Sequence, residues 1–417
     1  MPRILASLRA RVQSTIMQPQ FVPACLLLGT FLRVAWIYLV DPDQASDFLW
    51  YQTLATNIAL GKGYSINGIP TGYWPVGYPA FLGGLFCLFG PSVLIGKVAN
   101  IVLYVATILL TYRLSKRLFD SEPSARITVG ILSFYPNHIA YTALLSSEIF
   151  FVFLVALSVF VFDVANDRVG LILLSGLFFG MTTLTKPQGL VLPLIVLPLL
   201  LTTARGFLRF VLLIYGVVIA SVLPWMVRNY VVMGGPTLAN TAGIDLLDGN
   251  NPYANGGHHF TDQVNDLLGD LKTIPLDNVF DGKEVARDAR ARDLAIDFIA
   301  HNPGRFAALV LLKWARLFRW DIDGLDYSLR LMTLPRHVER PADCVAELYY
   351  VFMIILFLVS LPATLRARAR RQLLGLAIIV YFTIVYSIVF GGGRFHFPMM
   401  PWLAMYSGIG AWRLLCA

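Results

Sequence analysis

The sequence has little charge. Of its 417 residues, only 14% are Asp, Glu, Lys or Arg, whereas 57% are hydrophobic. Soluble globular proteins carry about 25% charged residues, so the shortage excludes a chain of soluble domains and predicts a polytopic membrane protein. The formal net charge of +8 does not indicate a nucleic-acid partner, because the basic residues are spread over short gaps between apolar runs.

The chain is also poor in cysteine. Its four cysteines show no Cys-x-x-Cys spacing, which argues against a zinc knuckle and against a disulfide framework. We interpret those in or beside apolar runs as inert thiols. A small-residue cleavage site is also missing after the first apolar run, which predicts an uncleaved first span rather than a removed signal peptide.

Long apolar runs fill most of the remaining sequence, and their lengths fit membrane helices, since about 20 apolar residues span a bilayer. The runs cover roughly residues 21–40, 92–112, 127–146, 149–163, 170–185, 188–203, 209–232, 346–362, 373–390 and 397–415.

Basic residues are concentrated at the N-terminus and in alternate gaps between these runs. They are Arg113, Lys116 and Arg117, then Arg168, then Arg205 and Arg209, and finally Arg366, Arg368, Arg370 and Arg371. By the positive-inside rule, this alternation predicts about ten spans with both termini cytoplasmic.

Two long segments then fall on the non-cytoplasmic face. The first outer loop, residues 41–91, contains a predicted helix over Asp47–Leu60 and an apolar stretch, Ala80–Phe89, that is too short to span the membrane. The second segment is polar, with a predicted helix over Glu284–Ala300. Residues 305–320 follow with the pattern of an amphipathic interfacial helix.

The sequence therefore predicts an all-α polytopic membrane protein with about ten transmembrane helices. Interfacial helices lie in its first outer loop, and a polar outer segment follows its seventh span. We divide the chain into an N-terminal transmembrane module (1–232), the outer segment (233–345) and C-terminal transmembrane helices (346–417).

Acidic residues stand out at the predicted outer face. Asp41, Asp43 and Asp47 directly follow the first apolar run, where a lipid head group would lie. Asp47 is a candidate general base or a cap of the helix that it begins, and the two roles are compatible. Glu148 lies between two apolar runs on the same side. A carboxylate with so little loop around it is costly unless it is paired or functional; otherwise it marks a solvated turn.

Four cations oppose the positive-inside trend. Lys186, Arg228 and Arg394 lie at the outer ends of spans, and Arg33 lies inside the first. Phosphate oxygens are natural partners of such side chains, so their location on one side favours a phosphate site. The alternative for each is snorkelling to the interface.

A polar loop over residues 245–259 supplies further candidates. Asn250 and Asn251 bind sugar hydroxyls or simply form turns. His258, His259 and Asp262 are weak metal-ligand candidates, because adjacent histidines point apart in an extended chain. The sequence thus predicts no set of metal ligands and no certain cofactor, and the use of a divalent metal ion stays open.

Several short motifs resemble, in order, those of GT-C superfamily membrane glycosyltransferases, in particular the protein mannosyltransferase-like group that includes the lipid A aminoarabinose transferase. They are Ser46-Asp47, Gly61-Lys62-Gly63-Tyr64, Pro75–Pro79, Pro224–Asn229, Gly249–Pro252 and Arg394-Phe395 with Pro398 and Pro401. Phe395 stands where the family more often has Tyr.

The resemblance implies an inverting glycosyltransferase with a polyprenyl-phosphate or dolichyl-phosphate sugar donor and a lipid, polysaccharide or protein acceptor. It implies catalytic roles for Asp47 and Glu148, with Asp43 a weaker candidate base. It implies phosphate-binding roles for Lys186, Arg394 and Arg228. Tyr78, Asn250, Asn251 and His396 are further substrate-binding candidates. The expected location is the bacterial inner membrane, with the site on its periplasmic or extracellular side.

Two other functions fit parts of the pattern. A transporter of lipid-linked saccharides would also be polytopic and bind phosphate, although its charges would lie near the bilayer midplane. A lipid-linked glycan ligase or polymerase would concentrate its key residues in a late outer loop. The glycosyltransferase hypothesis expects Asp47, Glu148, Lys186 and Arg394 around one cavity.

Overall fold

A computed structural model describes residues 2–201, 207–273, 280–330, 336–367 and 369–417. Nineteen α-helices occur in these ranges, which confirms the predicted all-α class. The first ten are α1 (Pro2–Met17), α2 (Phe21–Leu39), α3 (Asp47–Ala59), α4 (Gly77–Phe89), α5 (Val93–Phe119), α6 (Glu122–Ser133), α7 (Pro136–Tyr141), α8 (Ser147–Val164), α9 (Val169–Thr185) and α10 (Leu192–Leu200).

The remaining helices are α11 and those of the outer segment and the C-terminal spans. They are α11 (Phe207–Met233), α12 (Ala242–Gly249), α13 (Asp262–Asp266), α14 (Glu284–His301), α15 (Pro303–Arg319), α16 (Asp323–Arg330), α17 (Arg336–Ala367), α18 (Leu374–Ile388) and α19 (Met400–Cys416). Short 3-10 helices cover Pro187–Val191, Gly269–Leu271, Arg370–Leu373 and Gly393–Met399.

One small hairpin interrupts the helices in the first outer loop. Strand β1 (Ser65–Ile66) pairs antiparallel with β2 (Ile69–Pro70). The turn residues Asn67 and Gly68 have φ angles of 52° and 79°, and Asn-Gly is the sequence that tolerates positive φ at both central positions of a tight hairpin.

Six helices in the described ranges are long and apolar enough to cross a membrane, so the predicted count of ten is not confirmed. They are Phe21–Leu39, Val93–Phe119, Ser147–Val164, Phe207–Met233, Pro341–Ala367 and Arg370–Ile388. The predicted runs at 170–185 and 188–203 correspond to shorter apolar helices; residues 202 and 203 lie outside the described ranges.

The predicted third run, residues 127–146, is not a single helix. Helix α6 ends at Ser133 and α7 begins at Pro136. Tyr135, before the proline, is extended with φ −70° and ψ 111°, because the proline ring disfavours helical backbone in the preceding residue. The apolar run therefore folds as two short helices and a turn.

Helix α8 is the centre of the bundle. Most of its residues are buried, Glu148 at its start and Asp163 near its end included, whereas α2 and α11 bury few residues and form part of the periphery. Asp163 accepts hydrogen bonds from Arg117 and Arg371. Two basic residues of the predicted cytoplasmic gaps thus lie at the opposite end of α8 from Glu148; Arg205 and Arg368 of those gaps lie outside the described residues.

The outer segment packs onto the C-terminal spans. The predicted helices near 284–300 and 305–320 are present as α14 and α15, but Lys313 is not on an exposed polar face of α15. It is fully buried and donates to Asn250 Oδ1 at 2.9 Å and to the Ile388 carbonyl at 3.0 Å. Burial lowers the pKa of Lys313 to about 8.

Close backbone contact joins α12 to the segment after α18. A Cβ atom on Gly249 would lie 1.6 Å from the Val389 carbonyl oxygen, and one on Gly391 would lie 2.1 Å from the Lys313 carbonyl oxygen. Side chains at these two positions are therefore excluded by neighbouring backbone.

We predict that Gly249→Ala lowers the free energy of unfolding by about 1–3 kcal/mol, because the added methyl group forces two backbone segments apart. Gly216→Ala is the matched control: it lies in α11 with open space around its Cβ position and should raise stability by up to about 1 kcal/mol. Melting of both purified variants in detergent checks this, and equal shifts would contradict the close packing.

Candidate active site

Four charged residues from distant parts of the chain form one connected ion-pair network. Arg394 donates from Nε to Glu148 Oε1 at 2.5 Å and from Nη1 to Asp47 Oδ2 at 2.9 Å. Lys186 Nζ donates to the same Glu148 oxygen at 3.0 Å. The order Asp47–Arg394–Glu148–Lys186 thus joins α3, the 393–399 segment, α8 and the end of α9.

The ends of helices position this network. Asp47 lies in the first turn of α3 and Glu148 in the first turn of α8, where the helix dipole favours an anion. Asp47 is not the cap of its helix, since Ser46 occupies that position with φ 51°. Lys186 follows the last residue of α9 and is extended, as expected before Pro187.

Burial distinguishes the two carboxylates. The side chain of Glu148 is 0% exposed and that of Asp47 is 32% exposed. A buried carboxylate is costly unless it is paired, and Glu148 has both cations on one oxygen, while its Oε2 has no partner among the described residues. Burial lowers the pKa of Arg394, but Glu148 and Asp47 outweigh this effect and hold that pKa well above its ordinary value.

A cavity of about 930 Å³ adjoins the network. Asp47, Lys186 and Arg394 line the cavity, whereas Glu148 does not. Glu148 lies behind Lys186 and Arg394 and accepts a hydrogen bond from each of them. Two carboxylates and two cations balance each other, so the network is electrically neutral without a ligand.

One wall of the cavity is formed where the 187–191 segment meets α18. Pro187, Gln188, Val385, Tyr386 and Val389 line it. Gln188 Nε2 donates to the Tyr386 hydroxyl at 3.0 Å. This wall is mostly apolar, and it begins directly beside Lys186.

Two of the predicted cations have structural partners instead. Arg228 donates to the carbonyls of Thr71 at 2.7 Å and Tyr64 at 2.8 Å, so it holds the small hairpin. Arg33 is buried and donates to the carbonyls of Gly29, Leu132 and Ser133. Neither lines the cavity.

The other predicted binding residues are also outside the cavity wall. Tyr78 is buried against Tyr51, with ring centroids 5.4 Å apart. Asn250 and Asn251 donate to backbone carbonyls of α12. His396 is buried and has Nε2 2.8 Å from Asp321 Oδ1. The structure brings none of these four to the cavity surface.

Asp245, from the polar loop at 245–259, also lines the cavity, as do Trp50 and Asp323, which are not among the candidates predicted from the sequence. Burial, together with repulsion from Asp248 and Asp47, raises the pKa of Asp245 to about 7. Burial also raises that of Asp323 to about 6. Trp50 lies one turn after Asp47, so the helical spacing could have predicted that it lines the same cavity. No comparable feature of the sequence indicates that Asp323 does so.

The described residues contain no group of three or more His, Cys, Asp or Glu side chains that could hold a metal ion. His258 Nδ1 is 2.5 Å from Asp248 Oδ2, and the backbone N–H of His259 donates to Asp248 Oδ1 at 2.9 Å. Asp262 begins α13.

Residues 74–227 match the sequence profile of the dolichyl-phosphate-mannose-protein mannosyltransferase family. The predicted resemblance to GT-C membrane glycosyltransferases is confirmed. The matched residues include Glu148 and Lys186, while Asp47 and Arg394 lie outside them. Among curated proteins, none shows significant sequence similarity to the chain.

Solved structures share the fold. The archaeal oligosaccharyltransferase AglB from Archaeoglobus fulgidus, in complex with an inhibitory peptide and a dolichol-phosphate, has a TM-score of 0.51 and 12% identity over 94% of this chain and 50% of its own. Its apo form gives 0.53, at 12% identity, with 95% and 51% covered. This chain therefore spans about half the length of that enzyme.

The undecaprenyl-phosphate-bound ArnT from Cupriavidus metallidurans matches with a TM-score of 0.47 and 14% identity, over 94% of this chain and 79% of its own.

We predict that Glu148→Gln destabilises the protein by about 3 kcal/mol or more, because it leaves Lys186 and Arg394 without their shared buried countercharge. Glu122→Gln is the control, since Glu122 pairs with Lys116 and Arg126 at a partly exposed position and should cost about 1 kcal/mol or less. Thermal melting compares the two, and a Glu148 variant as stable as the control would show that Glu148 is not the anchor of the cations.

Proposed function

We propose that the chain is an inverting glycosyltransferase. It moves a sugar from a polyprenyl-phosphate or dolichyl-phosphate donor to a hydroxyl or amine acceptor at the non-cytoplasmic face of the membrane. The observation that carries this proposal is the connection of Asp47, Arg394, Glu148 and Lys186 beside a single cavity. The family match over residues 74–227 and the GT-C fold support the class of enzyme.

Lys186 and Arg394 bind the donor phosphate in this proposal. They are the two cations of the network that line the cavity, and phosphate oxygens bind well to paired Lys and Arg donors. Glu148 keeps both cations in place from behind. The solved oligosaccharyltransferase of the same fold was crystallised with a dolichol-phosphate, which is consistent with a lipid phosphate as the leaving group.

The apolar wall of the cavity accommodates the start of the lipid tail. Pro187 directly follows Lys186, and the hydrogen bond from Gln188 to Tyr386 joins this segment to the part of α18 that lines the cavity. A phosphate held by Lys186 therefore has its isoprenoid chain against apolar side chains. The sugar on the other side of the phosphate then faces Asp47.

Asp47 acts as the general base. When phosphate takes the Arg394 N–H groups, the bond from Arg394 Nη1 to Asp47 Oδ2 is released. Asp47 then accepts the proton of the acceptor hydroxyl or amine while the acceptor atom bonds to the anomeric carbon. The bond from that carbon to the phosphate oxygen breaks, and polyprenyl phosphate leaves with the electron pair. Lys186 and Arg394 stabilise the charge on the leaving phosphate, and the single displacement inverts the anomeric configuration.

The membrane arrangement is part of the proposal. Arg117 and Arg371 lie at the opposite end of α8 from Glu148, which supports a site on the non-cytoplasmic side under the positive-inside rule. We propose the periplasmic face of a bacterial inner membrane, with a lipid, polysaccharide or protein as acceptor.

We predict that Asp47→Asn lowers transfer of labelled sugar from a polyprenyl-phosphate donor by about 10²–10⁴-fold, because the amide cannot accept the acceptor proton. The assay uses the full chain in vesicles. Asp43→Asn is tested alongside, since Asp43 is the alternative base; it is exposed and does not line the cavity, so its transfer rate should stay near wild type.

Transfer that survives Asp47→Asn unchanged would remove Asp47 as the base. Loss of transfer in the Asp43 variant alone would reassign the role to that residue. Labelled lipid that crosses the bilayer without a new glycosidic bond would favour a transporter.

A further inference from the structure

Aromatic rings form part of the cavity wall next to Asp47. Trp50 follows Asp47 by one helical turn, which places both on one face of α3, and Trp50, Tyr73 and Trp74 all line the cavity. Trp74 is largely buried, while Trp50 and Tyr73 are partly exposed. Of these three rings, Trp50 and Tyr73 are therefore the ones with surface open to the cavity.

These rings are held in fixed positions by one another. Trp50 stacks on Trp74 with centroids 5.9 Å apart and an interplanar angle of 28°. Phe280 contacts Trp50 edge-on at 5.0 Å, and Tyr73 contacts Trp74 edge-on at 4.7 Å. Rings packed in this way lose little conformational entropy when a ligand stacks on them.

A carboxyl group faces the same part of the cavity. Asp245 lines the cavity, and its side-chain carboxyl has no hydrogen-bond partner among the described residues. The backbone N–H of Asn240 donates to the Gly72 carbonyl at 2.8 Å, so the segment that leads into α12 and Asp245 lies beside Tyr73. Most polar groups in partly buried sites have a partner, and an unpartnered carboxyl in a cavity is available to a ligand.

This part of the cavity is on the acceptor side of Asp47. Asp47 is at one end of the ion-pair network and Lys186 is at the other, and Trp50 adjoins Asp47 on α3. In an inverting displacement the acceptor attacks from the face opposite the leaving phosphate. The rings and Asp245 therefore lie where the acceptor must be held.

We propose that Trp50, Tyr73 and Asp245 form a binding subsite for a saccharide acceptor. A sugar ring has an apolar C–H face that stacks on aromatic rings and an edge of hydroxyl groups that bond to a carboxyl. A lipid chain would leave Asp245 unpartnered. The role of this subsite in sugar transfer rests on the proposed function. Its ability to bind a saccharide does not.

The raised pKa of Asp245 supports this assignment. Near neutral pH a substantial fraction of this carboxyl keeps its proton. It can then donate a hydrogen bond as well as accept one, which suits hydroxyl groups that do both.

The first test measures sugar binding without any donor. The full chain is placed in lipid nanodiscs, because glycoside detergents would compete, and is titrated with mannotriose, maltotriose and chitotriose by saturation-transfer NMR. We expect wild type to bind at least one of them. Trp50→Leu or Tyr73→Leu should weaken that binding about fivefold, since a ring contact contributes about 1 kcal/mol.

Conservative variants keep this test independent of folding. Tyr73→Phe retains the ring and should stay within about twofold of wild type, whereas Asp245→Ala should weaken binding severalfold. Trp314→Leu is the matched control for Trp50→Leu, because Trp314 is on α15 outside the cavity wall. Melting curves confirm that each variant is folded.

The second test separates binding from chemistry. With a polyprenyl-phosphate donor and the trisaccharide that binds as acceptor, Trp50→Leu and Asp245→Ala should raise the acceptor KM severalfold, whereas the control Trp314→Leu should leave it unchanged. Threonine-containing peptides are assayed in parallel.

Three results would overturn the subsite: no binding of any trisaccharide to wild type, transfer to peptides but not to saccharides, or ring variants that lower kcat with an unchanged acceptor KM. Saccharide binding that depends on Trp50, in a protein that transfers no sugar, would instead refute the proposed transferase activity and leave the subsite in place.

Discussion

The structure depends on one buried carboxylate with two cations on a single oxygen. Glu148 is wholly enclosed, and a lone charge there would be too costly to retain. Lys186, at the end of α9, and Arg394, in the segment before α19, supply the positive charge that compensates Glu148. Three parts of the chain are thereby joined at one point, and the side of each cation that does not face Glu148 is left toward the cavity.

Much of the fold could be predicted from the sequence because long apolar runs and helical spacing are local signals. Helices α3, α14 and α15 lie within about two residues of their predicted bounds. The prediction of a single helix over 127–146 was wrong because a proline, rather than the apolar character of the run, decides where α6 stops. The burial of Lys313 was missed because its partners, Asn250 and the Ile388 carbonyl, come from distant segments.

The site could be predicted only in part, for the same reason. Asp47, Lys186 and Arg394 were recognisable because charge at the outer end of a span is unusual and because short motifs resemble those of a known superfamily. Arg228, Asn250 and His396 belong to the same motifs, yet their polar groups bond to backbone carbonyls or to Asp321. Short motifs do not distinguish a residue that shapes the site from one that lines it, whereas burial and hydrogen-bond partners do.

The central helix also fixes a distance. Glu148 and Asp163 are 15 positions apart on α8, a rise of roughly 22 Å at about 1.5 Å per residue, and both acids are tied to arginines from other segments. The helix therefore acts as a rigid spacer between the arginines at Asp163 and the ion-pair network at Glu148. A membrane of different thickness has to adapt around this spacer, so the depth of the ion-pair network in the membrane is set by the protein and not by the bilayer.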